Sequence, residues 1–313
     1  MADLSVQLAG VTLRAPVIAA SGTCGYIDEL ADAVDLSRFG AVVTKSITRE
    51  PRQGNATWRI LDAPHGMLNA IGLANMGLER FLAEIVPRIP AAPTTVIGSI
   101  AGGSIDDYVT VAAAFDQCGA FRLVELNVSC PNTADGLVFG ENPAALGELL
   151  RAVRPALSRT RMLVKLSPNV GDIVALARAA IDAGADGLTL INTVSAMAID
   201  VETRAPRLSN VTGGYSGPAI HPIAVRMIHA VYRGAAREAG IPIIGLGGVM
   251  TWRDAAQFIL AGASAVGMGT ALFVNPRLPL KVMRGLDAWV TRQGGSKLSD
   301  LVGQVDPGAG RAA

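Results

Sequence analysis

Eight short apolar runs, many of them rich in β-branched residues, alternate with longer helical segments along this sequence of 313 residues. Most of these runs are apolar throughout, a pattern typical of parallel strands that are buried on both faces. The runs predict the strands Pro16–Ala20, Ala41–Lys45, Thr94–Ser99, Leu123–Asn127, Met162–Leu166, Gly187–Asn192, Pro242–Leu246 and Ala265–Met268.

The segments between the strands have the periodicity of amphipathic helices. Asn142-Pro143 and His221-Pro222 are typical helix starts, and Gly119 and Gly184 stand where helices are expected to end. The clearest predicted helices are Ile105–Cys118, Pro143–Leu157, Ile173–Ala183, Pro222–Ala239 and Thr251–Ala261. Repeated strand-then-helix units predict a (β/α)8 TIM barrel formed by residues 1–313 as one domain, with a small N-terminal β-hairpin within Leu4–Ala15 over the barrel bottom.

Composition argues against several classes of function. The formal net charge is +1 at pH 7, which gives no sign of a nucleic acid or an anionic membrane as partner. No run of about 18 apolar residues occurs, so a membrane span is not expected. The three cysteines, Cys24, Cys118 and Cys130, have unrelated spacings, which favours a protein of the reducing cytoplasm. Three thiols cannot supply the four ligands of an iron–sulfur cluster, so any such cluster is expected on another chain.

At the end of the fourth strand, the segment Asn127-Val128-Ser129-Cys130-Pro131-Asn132 sets a thiol between two amides. Active sites of (β/α)8 barrels lie at this end of the strands. A buried cysteine is more commonly an inert packing residue, but a strand end beside a proline favours a reactive role for Cys130. Cys24, after the first strand, either packs in the core or edges the site, and Cys118, at a helix end, is expected to be structural.

The histidines offer Cys130 no obvious partner. None of His65, His221 and His229 ends a predicted strand, and the last two fall on a helix pattern that predicts surface or capping groups. Acyl transfer by a Cys–His pair is therefore disfavoured, and proton transfer is the favoured role of Cys130.

Two lysines, Lys45 and Lys165, end predicted buried strands, where an unpaired charge is costly. They either form structural ion pairs inside the barrel or face an anionic cofactor or substrate. In the second case, a lysine beside the pyrimidine edge of a flavin would stabilise the negative charge of the reduced ring.

Four amide side chains are expected near the same mouth: Asn69, Asn127, Asn132 and Asn192. Asparagine is common in caps and turns, so each residue alone has an ordinary structural explanation. Together they can match the alternating carbonyl and N–H groups of a ring, which favours a pyrimidine-like ligand.

Glycine-rich turns follow the last two predicted strands, at Gly245–Gly248 and Gly267–Thr270. This is the usual phosphate site of (β/α)8 barrels, because glycines let backbone N–H groups approach a phosphate. Any tight turn between a strand and a helix can use glycine, but the pair of turns favours phosphate binding. The full G-x-G-x-x-G pattern of a dinucleotide site is missing, which predicts a mononucleotide-like cofactor and no NAD site on this chain.

Together these motifs resemble those of the class 1 dihydroorotate dehydrogenases, and most closely those of the class 1B catalytic subunit. The resemblance extends over nearly the whole chain, up to about Gly285. It is carried by the segments Thr44–Thr48, Glu50–Arg52, Gly54-Asn55, Asn69–Leu73, Asn127–Asn132, Asn192-Thr193, Thr212–Ile220, Gly247-Gly248 and Gly269-Thr270.

The resemblance implies an FMN-dependent barrel that oxidises (S)-dihydroorotate to orotate in pyrimidine (UMP) synthesis. It also implies that Cys130 is the catalytic base and that Lys45 assists catalysis. The implied FMN contacts are Ser21, Lys45, Ser46, Asn127, Lys165, Ile191, Gly217, Gly247, Gly248, Gly269 and Thr270. The implied substrate contacts are Lys45, Asn69, Ala70, Ile71, Gly72, Leu73, Asn127, Asn192 and Thr193.

Two residues depart from the family pattern. Ser99 stands where an asparagine usually contacts FMN, and it can still donate to the flavin with a shorter reach. Cys24 replaces an aromatic residue of the first loop.

The segment Asp135–Gly140 favours class 1B over class 1A, whose Pro-Gly-Lys-Pro-Gln run is absent. The cysteine base argues against class 2, which uses a serine. Class 1B implies a homodimer joined in a heterotetramer by a subunit that carries FAD and a [2Fe–2S] cluster and passes electrons to NAD+. The alternatives within redox chemistry are a fumarate-linked class 1A enzyme and a uracil or thymine dihydropyrimidine dehydrogenase, which Asn132 disfavours. Other classes are a non-redox phosphate-binding barrel enzyme and a binding subunit without catalysis.

Overall fold

The structure is a computed structural model that describes residues 2–129 and 139–306. The strands in these ranges are β1 (Val6–Leu8), β2 (Val11–Leu13), β3 (Val17–Ala19), β4 (Ala41–Val43), β5 (Ile60–Ala63), β6 (Gly66–Asn69), β7 (Thr95–Ile100), β8 (Leu123–Asn127), β9 (Arg161–Lys165), β10 (Gly187–Leu190), β11 (Val194–Met197), β12 (Ile199–Asp200), β13 (Ala205–Pro206), β14 (Thr212–Ser216), β15 (Ile243–Leu246) and β16 (Ala265–Met268). The α-helices are α1 (Leu78–Glu84), α2 (Ile105–Gln117), α3 (Pro143–Val153), α4 (Ile173–Asp182), α5 (His221–Val231), α6 (Arg237–Ala239), α7 (Trp252–Ala261), α8 (Thr270–Val274) and α9 (Leu278–Arg292). None of the helices in these ranges is long and apolar enough to cross a lipid bilayer.

Eight parallel strands close into a barrel in the order β3-β4-β7-β8-β9-β10-β15-β16, and β16 pairs back to β3. Each predicted strand is confirmed, with small differences at the ends. The order around the barrel follows the order along the chain, so each strand is hydrogen-bonded to the barrel strand before it and the one after it. The carboxyl ends of all eight strands therefore meet at one mouth.

The predicted N-terminal hairpin is also confirmed, as the antiparallel pair β1 and β2. Its two turn residues, Ala9 and Gly10, have φ values of +50° and +79°, and a tight two-residue hairpin turn of this type needs positive φ at both positions. The turn borders a shallow surface pocket together with Ile241 and Ser264, which precede β15 and β16. The hairpin therefore lies at the amino ends of the barrel strands, at the bottom of the barrel.

Two of the predicted helices are interrupted. The predicted helix Pro143–Leu157 is α3 followed by a 3-10 turn at Arg154–Ala156, because Pro155 has no backbone N–H to continue the α-helical pattern. The predicted helix Pro222–Ala239 consists of α5, a π-helical turn at Tyr232–Ala236 and α6. The other three predicted helices are confirmed as α2, α4 and α7.

Two excursions from the barrel build a second sheet at the mouth, which we call the cap sheet. β5 and β6 come from the segment after β4, β11 and β14 come from the segment after β10, and the four pair in the order β11-β14-β6-β5. The β6–β14 pairing brings Asn69 opposite Gly214. The neighbouring Gly213 suits this close approach, because an added Cβ would lie 2.5 Å from the Asn69 carbonyl oxygen. None of these four strands is predicted by the sequence patterns.

Asp116, in the last turn of α2, holds the segment that leads into β9. Its Oδ1 accepts hydrogen bonds from the backbone N–H groups of Arg159 and Thr160, both at 2.9 Å, and its Oδ2 accepts one from Ser158 Oγ at 2.9 Å. Burial alone would raise the pKa of this carboxyl, but the hydrogen bonds outweigh burial and lower the pKa to about 2.

Asp116→Asn is expected to lower the free energy of unfolding at pH 7 by about 2 kcal/mol, because the fall of the pKa from 3.8 to about 2 corresponds to that free energy. A carboxyl whose pKa is depressed in the folded state stabilises the fold above its unfolded pKa, near 4, and this contribution is lost as the pH falls towards 2. Urea unfolding of both proteins at pH 7 and at about pH 2.5 measures the effect. The difference in free energy of unfolding between the two proteins should be smaller at about pH 2.5 than at pH 7. An equal difference at both pH values would contradict the prediction.

Candidate active site

A cavity of about 770 Å³ opens at the carboxyl ends of the barrel strands, beside the cap sheet. Its size is in the range of pockets that hold small molecules and cofactors. Among the described residues, every predicted cofactor or substrate residue except Ser99 lines it: Ser21, Lys45, Ser46, Asn69, Ala70, Ile71, Gly72, Leu73, Asn127, Lys165, Ile191, Asn192, Thr193, Gly217, Gly247, Gly248, Gly269 and Thr270. The structure thus brings residues of the barrel and of the cap sheet together at one site.

Ser99 is fully buried behind Ser46 and does not line the cavity. The Oγ atoms of the two serines lie 2.8 Å apart, and Ser46 Oγ lies 3.3 Å from Ser21 Oγ. Ser21 Oγ in turn donates to the Thr44 carbonyl at 2.7 Å. The Ser99 hydroxyl therefore reaches Ser46 and not the cavity, and its contact with the cofactor stays a prediction.

Two of the predicted amides contact each other. Asn192 Nδ2 donates to Asn127 Oδ1 at 3.1 Å. The backbone carbonyl of Asn127 accepts a hydrogen bond from Tyr108 OH at 2.7 Å. Asn69, at the end of β6, donates from Nδ2 to the Gly214 carbonyl at 3.3 Å. These hydrogen bonds orient the amide groups before any ligand is bound.

Three further asparagines, Asn55, Asn169 and Asn210, line the cavity and are absent from the predicted set. Asn55 Nδ2 donates to the Ala70 carbonyl at 2.9 Å and anchors the segment Asn69–Leu73. Asn169 Nδ2 donates to the Thr193 carbonyl at 3.2 Å and anchors the segment Asn192-Thr193. The available signal in the sequence is weak: Asn55 belongs to one of the family segments, and Asn169 comes shortly after a predicted strand.

The turns after β15 and β16 form a concave backbone wall. Gly247 and Gly248 have φ values of +140° and +71°. A Cβ on Gly248 would lie 2.4 Å from the Gly217 carbonyl oxygen, so no side chain fits at this approach. Thr270 Oγ1 donates to Ser216 Oγ at 2.8 Å beside the wall. Exposed backbone N–H groups and hydroxyls of this kind are suitable donors to a phosphate.

His221 supports this wall from behind. It is 8% exposed, so the predicted surface position is wrong. Its Nδ1 lies 3.0 Å from the Gly247 carbonyl oxygen, which can only accept, so Nδ1 carries a proton. The ring packs against Phe258, with 4.7 Å between the ring centroids. His221 therefore holds the Gly247 peptide in place.

Both predicted lysines line the cavity. Lys165 ends β9, is 6% exposed, and its Nζ lies 3.9 Å from Glu125 Oε1. Lys45 follows β4, and its backbone N–H donates to the Gly25 carbonyl at 2.9 Å. Lys165 combines the two predicted alternatives, since it belongs to an ion pair and also borders the cavity. Two cations at one mouth suit an anionic ligand.

Cys130 and Asn132 lie outside the described residues, and their predicted roles rest on the sequence. Ser129, the neighbour of Cys130, lines the cavity. The chain therefore reaches the cavity wall one residue before the predicted base.

Cys24 is packed in the core and does not edge the cavity. It is 2% exposed, and its Sγ donates to the Val43 carbonyl at 3.6 Å. Burial, together with the charge of Glu29, raises the pKa of the Cys24 thiol to about 12.

We expect Cys24 to resist iodoacetamide at about pH 8 in the folded protein, because almost none of it is thiolate. It should react once the protein is unfolded in denaturant. Mass spectrometry of the peptides measures the modification of Cys24 in the folded and in the unfolded protein. Rapid modification in the folded protein would contradict the buried position of Cys24.

Comparison with known proteins identifies the family to which the chain belongs. The sequence matches the family model described as dihydroorotate dehydrogenase over residues 3–290. A protein of Pelobacter propionicus named dihydroorotate dehydrogenase B (NAD(+)), catalytic subunit, is 47% identical over 305 residues, which are 97% of this chain and 99% of that protein. Proteins of the same name from Bacteroides thetaiotaomicron and Geobacter sp. are 44% and 45% identical; the alignments cover 98% and 97% of this chain and 100% and 98% of those proteins. The chain therefore belongs to the dihydroorotate dehydrogenase family.

Proposed function

We propose that this chain oxidises (S)-dihydroorotate to orotate in de novo pyrimidine synthesis, as the catalytic subunit of a cytoplasmic, NAD+-linked dihydroorotate dehydrogenase. The observation that carries the proposal is that the lysines, amides and glycine turns of the family motifs line the same cavity. The names of the similar bacterial proteins, which align with nearly the whole chain, support it.

The described residues fit FMN, the cofactor that we assign to the site. The Gly247-Gly248 turn, where a side chain would collide with the opposite backbone, and the Thr270 hydroxyl suit a phosphate group. Ser46 and Asn127 offer hydrogen bonds to a polar ring system, and Lys165 offers a positive charge. When bound, FMN supplies the acceptor for the hydride that leaves C6 of the substrate.

The amide side chains suit the substrate ring, which presents carbonyl and N–H groups in alternation. Asn127 and Asn192 are already joined to each other, so their remaining hydrogen-bonding atoms have fixed directions. Asn69 approaches from the cap sheet. Lys45 offsets the negative charge that develops on the carbonyl next to C5 when that carbon loses its proton. Cys130, as thiolate, accepts this proton.

We assign the transfer of electrons to NAD+ to a second subunit. The three cysteines of this chain are too few for the four ligands of an iron–sulfur cluster, so we assign a [2Fe–2S] cluster, together with FAD, to the partner. The words "catalytic subunit" in the names of the similar proteins support a separate electron-transfer subunit. We propose that two copies of this chain and two of the partner form a heterotetramer.

Purification of the chain, alone and together with the products of neighbouring genes, tests the proposal. The chain alone is expected to be yellow with bound flavin and to be bleached by dihydroorotate. Rapid NAD+ reduction is expected with the partner subunit only, and fumarate and quinones should be poor acceptors. Strong fumarate turnover by the chain alone would refute the NAD+ assignment, and a colourless protein without flavin would favour a non-redox barrel enzyme.

A further inference from the structure

A buried carboxylate lies beneath the cavity, and the reaction as described above does not use it. Glu125, in β8, is 2% exposed. Its Oε2 accepts a hydrogen bond from Thr189 Oγ1 at 2.8 Å, while its Oε1 is buried and has no hydrogen-bond partner within the described residues. Lys165 Nζ lies 3.9 Å from that Oε1. The three side chains come from the adjacent strands β8, β9 and β10.

The strand geometry sets this carboxylate one layer below the ligand-binding groups. Alternate residues of a strand point to the same side, so Glu125 shares a face of β8 with Asn127, which lines the cavity. The other face of β8 is turned towards the helices: Val124 pairs with Gly98, and a Cβ on Gly98 would lie 2.8 Å from Phe115 of α2. Glu125 therefore points into the barrel, directly under the cavity floor.

A carboxylate at this depth is costly for the fold. Removing it from water costs several kcal/mol, and an apolar residue of similar size would fill the barrel without that cost. A distance of 3.9 Å is too long for a hydrogen bond, so Glu125 and Lys165 interact mainly through their charges. Stabilisation of the fold therefore explains the Glu125–Lys165 pair poorly. The cost of burying the carboxylate indicates that its charge has a function.

We propose that Glu125 is a positioning residue that holds the ammonium group of Lys165 at the cavity floor and offsets part of its positive charge. This inference rests on the proposed function, in which Lys165 offers its charge to the bound flavin. The negative charge of Glu125 then limits how strongly the site stabilises electrons on the cofactor, so it sets the reduction potential of the flavin. Thr189 fixes the orientation of the carboxylate.

Glu125→Gln keeps the size of the side chain and removes its charge. The midpoint potential of the bound flavin, measured by equilibrium titration against a reference dye, is expected to rise because the Lys165 charge is no longer offset. We expect the ratio of reduced to oxidised flavin at a fixed potential to rise at least tenfold, which corresponds to about 30 mV for a two-electron couple. An unchanged potential in a variant with normal flavin content would overturn the inference.

Thr189→Val and Thr189→Ser form a matched pair that leaves Glu125 in place. Valine removes the hydrogen bond that favours the charged form of the carboxylate, so the flavin potential should rise, in the same direction as in Glu125→Gln. Serine retains the hydroxyl, and the potential should stay as in the unaltered protein. A purely structural residue would not give parallel shifts in Glu125→Gln and Thr189→Val together with an unchanged potential in Thr189→Ser. If Glu125→Gln fails to fold, equal potentials in the two Thr189 variants would overturn the inference.

The same measurements separate this inference from the proposed function. If the unaltered protein binds no flavin, the proposed function fails, and the role of Glu125 fails with it. If dihydroorotate reduces the flavin in every variant while the potential stays constant, the proposed function stands and the role of Glu125 is rejected.

Discussion

Cys130→Ser is expected to slow the reduction of the flavin by dihydroorotate by about a hundredfold to ten-thousandfold, the usual range for a general base. The pKa of a thiol is ordinarily about 8.5, and a serine hydroxyl is a much weaker acid. Near neutral pH the serine hydroxyl is therefore almost never deprotonated. The rate of reduction should therefore keep rising to a higher pH in the variant than in the unaltered protein. Stopped-flow absorbance of the flavin over a series of pH values measures both effects.

Cys118→Ser is the matched control for this experiment. Cys118 is half-buried at the end of α2, and its Sγ donates to the Phe115 carbonyl at 3.1 Å, a hydrogen bond that serine retains. Its reduction kinetics should equal those of the unaltered protein. The assignment of Cys130 rests on the sequence motif and on Ser129, its neighbour at the cavity. Normal kinetics in Cys130→Ser would reject this residue as the base.

Gly248→Ala is expected to weaken the binding of FMN by about a hundredfold. The residue has a φ of +71°, where residues with a side chain are disfavoured by about 1–2 kcal/mol. The added Cβ would also lie 2.4 Å from the Gly217 carbonyl oxygen, and displacing that backbone costs about 1–3 kcal/mol more. A loss of about 2.8 kcal/mol in binding corresponds to a hundredfold. Titration of the flavin-free protein with FMN, followed by flavin fluorescence, measures the change.

Gly119→Ala is the control for a side chain at positive φ in a position that does not line the cavity. Gly119 has a φ of +68°, close to that of Gly248, but an added Cβ would meet no atom within 4 Å. This variant should lose some stability and bind FMN normally. Equal loss of FMN binding in both variants, or normal binding in Gly248→Ala, would reject the phosphate wall formed by the turn.

The barrel could be predicted because its strands are buried on both faces, so each one is visible as a continuous apolar run. The bounds predicted for Leu123–Asn127 and Ala265–Met268 are those of β8 and β16. Helix starts and ends were predictable for a similar reason, since Asn142 caps α3 with its own side chain and Gly240 ends α6 in the left-handed conformation. Apolar runs and helix caps are local sequence features, so they predict strands and helices without knowledge of distant residues.

The cap sheet could not be predicted as a whole, because its two halves are joined by the pairing of β6 with β14, which are far apart in the sequence. β14 contains two glycines and is only partly buried, so it has neither an apolar run nor a regular alternation. Asn69 and Gly214, which face each other across β6 and β14, are 145 residues apart. No local pattern specifies a register over such a separation.

The positions of Lys45, Asn127 and Lys165 at the cavity could be predicted, because each stands at the end of a barrel strand. Glu125 and His221 could not be found in this way. Each is a single polar residue within an otherwise ordinary strand or helix, and each acquires its role from a neighbour, Lys165 or the Gly247 peptide, that packs against it.

The barrel and the cap sheet share the lining of one cavity. The glycine turns follow β15 and β16, whereas Asn69–Leu73 and Asn192-Thr193 belong to the two excursions after β4 and β10. A redesign of the cavity for another ligand ring would therefore have to change both excursions and keep their contact with the glycine turns. The two excursions must be exchanged as a pair, because each supplies half of one hydrogen-bonded sheet.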